Sequence, residues 1–212
     1  MTRELMVKVC GLRNMENVKA IARLGINYAG FVFYSGSSRY VANEPGFEIS
    51  ADLKVSCTPV AVFVDESLEV VSTVIKRFAF DVIQLHGKES AEYCQSLKSS
   101  FTGIKIIKAF SYDENFDFPR QRRFEGVCDY FLFDSSGGGS GRKFDWRVLE
   151  NYRGNIPYFL SGGIGPSDAT SIRELSEITA KLCGVDINSR FETGPGIKSV
   201  EKVKEFLEEI RI

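Results

Sequence analysis

Short apolar runs alternate with amphipathic stretches from one end of the chain to the other. Eight runs read as strands, at 6–10, 28–34, 59–64, 82–85, 105–109, 130–134, 158–161 and 181–185. Most are almost continuously apolar, the pattern of parallel strands covered on both faces. Between them, apolar positions return at helical spacing. Val18, Ile21, Ala22 and Leu24 form one stripe, Val71, Val74, Ile75 and Phe78 a second, and Val203, Phe206, Leu207 and Ile210 a third. Ser67, Ser167 and Ser199 stand where helix N-caps are expected. Parallel strands need crossover connections, and eight strand–helix units favour a closed barrel over an open sheet. The predicted class is α/β, a single (βα)8 TIM barrel over residues 1–212. One unit breaks the rhythm. Residues 111–126 are polar, contain Pro119 and have a weak helical period, which predicts a loop or a degenerate fifth helix.

Composition narrows the function classes. With 212 residues, 43% hydrophobic and 26% charged, the chain is long enough for one barrel, and no linker divides it. A formal net charge of −1 gives no overall attraction to nucleic acid. The longest basic cluster, Pro119-Arg120-Gln121-Arg122-Arg123, is too short to track a phosphate backbone and reads as a solvated loop or helix face. No apolar run approaches the ~20 residues of a membrane span, and Met1-Thr2-Arg3-Glu4 lacks the layout of a signal peptide. The five cysteines include no CxxC pair, and His86 is the single histidine, so no Cys/His zinc pattern exists. The expectation is a cytoplasmic monomer or homodimer with no metal, no cofactor and no nucleic-acid or membrane partner. Cys57, Cys94, Cys128 and Cys183 read as core or half-buried residues.

In a parallel barrel the loops that follow the strands share one face, where active sites form. Cys10 and Asp134 close the first and sixth runs, and a thiol with a carboxyl can act as base and acid. Arg39 and His86 follow the second and fourth runs. Two turns resemble a phosphate cradle: Ser161-Gly162-Gly163-Ile164-Gly165 and Gly184-Val185-Asp186-Ile187-Asn188-Ser189. Ser136-Gly137-Gly138-Gly139-Ser140-Gly141-Arg142-Lys143 lacks the Walker A pattern and reads equally as a lid or a surface loop. By themselves these residues leave alternatives open. A strand-end cysteine is more often inert than catalytic, a strand-end aspartate often caps a helix, and Arg39 is equally explained by a surface ion pair.

The motifs taken in order resemble the phosphoribosylanthranilate isomerase family. They are Val7-Lys8-Val9-Cys10-Gly11-Leu12, Gly30-Phe31-Val32-Phe33-Tyr34 with Ser38-Arg39-Tyr40-Val41, Ala61-Val62-Phe63-Val64, and Val82-Ile83-Gln84-Leu85-His86-Gly87. The series continues through Asp134 and Phe144-Asp145-Trp146, Ser161-Gly162-Gly163, and Gly184-Val185-Asp186 with Glu192 and Pro195-Gly196. The resemblance implies an Amadori rearrangement in tryptophan biosynthesis, without cofactor, on a phosphorylated small-molecule substrate. It implies Cys10 as general base, Asp134 as general acid and Arg39 as the holder of the anthranilate carboxylate. His86, Gly162, Gly163, Asp186 and Asn188 complete the substrate-binding set. Asn188 departs from the family, where a serine helps bind phosphate, and the loop after Asp134 is shorter around Gly138 to Lys143. Two other readings are a related phosphosugar isomerase that works with two aspartates and a silent phosphate-binding barrel. Cys10 speaks against the first, and the retention of both proton-transfer groups against the second.

Overall fold

All eight predicted runs form strands, in a computed structural model that describes residues 4–42, 44–112, 118–135 and 145–212. They are β1 (Met6–Val9), β2 (Tyr28–Val32), β3 (Thr58–Phe63), β4 (Val82–Leu85), β5 (Lys105–Tyr112), β6 (Tyr130–Ser135), β7 (Tyr158–Ser161) and β8 (Leu182–Ile187). Each pairs in parallel with its neighbour in sequence, and β1 closes the barrel on β8. A short antiparallel hairpin, β9 (Glu192–Gly194) and β10 (Ile197–Lys198), follows β8.

Strand alternation sorts the buried residues into two sets. Val7, Val9, Phe31, Phe63, Ile83 and Phe133 face outward and pack with helix residues such as Val18, Ile75, Leu97, Ile172 and Phe206. Val32, Val60, Val62, Ile107, Leu132 and Phe159 face inward and fill the lumen beneath Cys10. Apolarity on both faces is therefore what the continuous runs encode.

Six α-helices are described: α1 (Met15–Ala22), α2 (Ala51–Ser56), α3 (Leu68–Phe78), α4 (Ala91–Ser100), α5 (Ala169–Ile178) and α6 (Val200–Ile210). The predicted stripes on α1, α3 and α6 face the barrel, and Ser67 and Ser199 cap α3 and α6. Ser167 does not cap α5. It lies exposed inside a 3-10 turn, Pro166–Asp168, because Pro166 starts the helical path one residue earlier. The Asp168 carboxylate takes over, accepting from the Gly165 N–H at 2.8 Å.

The weak fifth helix is a 3-10 helix, Phe118–Phe124, in which Gln121 and Phe124 are buried while Arg122 and Arg123 are exposed. Arg122 and Arg123 of the basic cluster thus lie on a solvated face. A second 3-10 helix, Trp146–Asn151, connects β6 to β7. Residues 136–144, which include the predicted lid, lie outside the described residues. Two strand ends differ from the apolar runs. Cys10 falls one residue beyond β1, and β8 runs on through Asp186 and Ile187.

Candidate active site

Alternation decides what reaches the mouth. Met6, Lys8 and Cys10 share the inward parity of β1, and Tyr130, Leu132 and Asp134 share that of β6. The two candidate proton-transfer residues therefore meet in one cavity of about 340 Å³ at the C-terminal ends of the strands. His86, Gly162, Gly163, Asp186 and Asn188 line the same cavity. Arg39 stands at its edge, crossing above Gly11. Gly11 has φ +73°, and a Cβ there would collide with Arg39 and Asn188, so only glycine lets the loops close this tightly. A larger hollow of about 930 Å³ lies by Leu5, α5 and α6, away from these strand ends.

Cys10 is 5% exposed, and burial pushes its thiol up from the ordinary value. The Lys8 ammonium opposes that rise. Lys8 Nζ and Cys10 Sγ each lie 3.0 Å from where a Cβ of Gly30 would sit, so bare backbone in β2 makes the room they share. Lys8 is fully buried and donates to Asp186 Oδ1 at 2.9 Å, across the β1–β8 register that sets Lys8 beside Asp186. Burial works to discharge Lys8, but Asp186 and Cys10 outweigh it and hold the ammonium above its ordinary value.

Asp134 sits beside Ser161 in register, and its Oδ2 lies 3.2 Å from His86 Nε2. Gln84 Nε2 contacts the other ring nitrogen, His86 Nδ1, at 2.8 Å. Gln84 Oε1 is buried and has no partner among the described residues. In this orientation the amide donates to Nδ1, and His86 donates from Nε2 to an ionised Asp134. Turning the amide over lets Nδ1–H donate to Oε1 and leaves Nε2 to accept a proton from the acid form. The orphaned oxygen gains its partner in the second arrangement.

Arg39 is held in a fork by Glu192, with Nε to Oε1 at 2.8 Å and Nη2 to Oε2 at 2.6 Å. Lys198 Nζ donates to Glu192 Oε1 at 2.7 Å and to Asn188 Oδ1 at 2.6 Å. Burial acts to raise the Glu192 carboxyl, yet the hydrogen bonds from Arg39 and Lys198 outweigh it and hold it at about 2. The surface ion pair considered for Arg39 is thus a half-buried one that aims the guanidinium. Its Nη1 group stands outside the fork.

The chain and its barrel match a known family. The model for "N-(5'phosphoribosyl)anthranilate (PRA) isomerase" matches residues 7–209. The chain belongs to that family. It is 40% identical over 210 residues to the N-(5'-phosphoribosyl)anthranilate isomerase of Parabacteroides distasonis, covering 97% of this chain and 93% of that one. The phosphoribosyl anthranilate isomerase of Thermus thermophilus superposes with a TM-score of 0.81 at 25% identity, covering 97% and 98% of the two chains. A phosphoribosyl anthranilate isomerase bound to reduced 1-(o-carboxyphenylamino)-1-deoxyribulose 5-phosphate superposes with a TM-score of 0.77 at 28% identity, covering 97% and 98%.

Sequence reasoning missed the supporting charges. Lys8 carried a signal, since a lysine flanked by valines on the inward parity of Cys10 has to be buried with a partner. Gln84 had the same signal on β4. Glu192 was named only as part of a family motif, because its partner Arg39 is remote in sequence at a separation of 153, and Lys198, whose partners are Glu192 and Asn188, had no signal. Gly184 belongs to packing rather than to a phosphate turn: it lies within β8, and a Cβ there would strike the Met6 carbonyl oxygen.

Proposed function

We propose that Cys10 and Asp134 are the base and acid with which this chain isomerises N-(5'-phosphoribosyl)anthranilate to 1-(2-carboxyphenylamino)-1-deoxyribulose 5-phosphate, a step of tryptophan biosynthesis. The observation that carries this reading is one thiol and one carboxyl facing a common cavity at the mouth of a barrel of this family. Asp134 in its acid form protonates the ring oxygen of the ribose. The anthranilate nitrogen supplies its lone pair as the C1–O bond breaks, giving an open-chain iminium ion. Cys10 as thiolate then removes the proton from C2, and the electron pair neutralises the iminium nitrogen, giving an enolamine. Tautomerisation moves the hydroxyl proton of C2 to C1 and yields the ketone. One proton given by Asp134 and one taken by Cys10 balance over the turnover.

The surroundings support these roles. A free thiol is almost fully protonated at neutral pH and burial pushes Cys10 further up, so the base depends on the positive charge beside it. Lys8 sits against Cys10 where a thiolate would form, and the iminium ion adds a second positive charge as the proton leaves. The Gln84–His86 pair holds the proton of the Asp134 acid form when the Gln84 amide is turned to face Nδ1–H. The positive-φ glycines Gly162 and Gly163, with φ of 93° and 65°, expose backbone N–H groups to the phosphate end. Arg39, aimed by Glu192, suits the carboxylate of the anthranilate ring.

No described helix is long and apolar enough to cross a membrane. The five free, buried cysteines support a cytoplasmic setting. Turnover is read by loss of the fluorescence of enzymatically generated phosphoribosylanthranilate. Cys10→Ala and Asp134→Asn should each lower kcat by roughly 10²–10⁴ with the fold intact by circular dichroism. A variant that keeps wild-type kcat removes that residue from the mechanism, and a wild-type protein that binds without turnover supports a silent barrel instead.

A further inference from the structure

We propose that Arg190 is a phosphate ligand of this site, its guanidinium closing over the glycine turn after β7; this rests on the isomerase reading and deepens it. Arg190 follows Asn188 and Ser189 in the 3-10 turn Ser189–Phe191 after β8, and Ser189 itself lines the cavity. Its side chain runs back across the neighbouring turn. Arg190 Cδ lies 3.3 Å from where a Cβ of Gly165 would sit, and Arg190 Nε lies 4.0 Å from that of Gly163. The missing side chain at Gly165 lets the arginine pack this tightly against the turn, and at Gly163 the approach is an ordinary contact.

The pairing of charges at the mouth singles this residue out. Lys8 is paired with Asp186, Arg13 with Glu44, and Arg39 and Lys198 share Glu192. Arg190 is exposed and has no hydrogen-bond or carboxylate partner among the described residues. Asp168, the carboxylate of the same turn, accepts from the Gly165 N–H. A phosphomonoester carries close to two negative charges at neutral pH. The paired cations leave that charge uncompensated, and a free guanidinium presents several N–H donors in a geometry that matches phosphate oxygens.

Asn188 supplies no charge here. Its Oδ1 accepts from Lys198 at 2.6 Å, so at this departure from the family pattern only the neutral Nδ2 group is left to donate toward the cavity. Arg190 gives the phosphate a charged partner from two positions further along the same turn.

Steady-state kinetics of wild type, Arg190→Ala and Arg190→Lys test this, with inorganic phosphate as competitive inhibitor. Arg190→Ala should raise KM and the inhibition constant of inorganic phosphate together, each by roughly 5- to 20-fold, with kcat changed far less. Arg190→Lys should recover part of both. The residue is exposed, so the thermal midpoint should stay at the wild-type value. If wild type turns over and Arg190→Ala leaves both constants within about twofold, Arg190 is not a ligand, although the isomerase reading stands. A fall in kcat and thermal midpoint without a change in phosphate inhibition also overturns the proposal, by making the role structural. If wild type shows no turnover, titration calorimetry with inorganic phosphate decides it: weaker binding by Arg190→Ala upholds the clamp, and equal binding overturns it.

Discussion

Cys10 faces an environment that resists its ionisation until substrate arrives. Burial pushes the thiol up, and Lys8 recovers part of that rise. In the proposed mechanism the forming iminium charge would favour the thiolate at the moment the C2 proton must move, which would tie reactivity to a bound substrate. Gln84 would play the matching part for the proposed acid. Replacing its amide by an isosteric apolar group removes the acceptor for His86 Nδ1–H and with it the tautomer that takes the Asp134 proton. Gln84→Leu should therefore lower kcat by roughly 10- to 100-fold with little change in KM. An unchanged kcat would show that the amide only packs. Of these residues Cys10 and Asp134 were readable from position as strand-end candidates for one mouth, and only the family resemblance suggested their roles. The tautomer of His86 was not, since it depends on a hydrogen bond whose direction has no trace in the letters.

Among the elements, the helices divide by how their ends are satisfied. Ser199 Oγ accepts from the Lys202 N–H at 3.2 Å and starts α6, whose Val203, Phe206, Leu207 and Ile210 cover the outside of the barrel. Ser199→Ala should cost about 1 kcal/mol in urea unfolding. Ser167→Ala should change stability by less than about 0.5 kcal/mol, because an exposed serine inside a 3-10 turn caps nothing. Equal effects for the two would refute the assignment of the caps. Both serines precede an apolar helical stripe, so local pattern could not separate them. Pro166 did, by fixing the first 3-10 residue and handing the capping to Asp168. The same limit applies to the unit after β6, where a 3-10 helix, Trp146–Asn151, serves as the connection.

On the scale of the molecule, the seam between β1 and β8 carries both closure and chemistry. Lys8 and Asp186 bridge it inside the lumen, while Glu192, Lys198 and Arg39 tie the loops above it. Glu192 gives this seam a pH signature. Its folded carboxyl is held at about 2, below its value in an unfolded chain, so its contribution is complete above about pH 5 and fades as pH falls toward 2. With solvent screening allowed for, the group accounts for roughly 2 kcal/mol of wild-type stability across that window. Glu192→Gln should show a correspondingly shallower loss of stability between about pH 5 and about pH 2–3 in urea titrations. A loss as steep as that of wild type would place the acid-sensitive groups elsewhere.

The order of strands, the inward parity of Cys10 and Asp134 and the three strong helical stripes follow from local apolar pattern, which the chain states residue by residue. Steric alternation and the need to bury both faces of a parallel sheet leave few other arrangements for such runs. Closure decided the rest. Only when β1 meets β8 does Lys8 find Asp186, and only then do Arg39 and Glu192 meet across the mouth. Arg190 comes to lie over Gly163 and Gly165 because β7 and β8 pair side by side. Those encounters join residues far apart in sequence, and ion pairs, burial and the room left by a missing Cβ are properties of the space between strands.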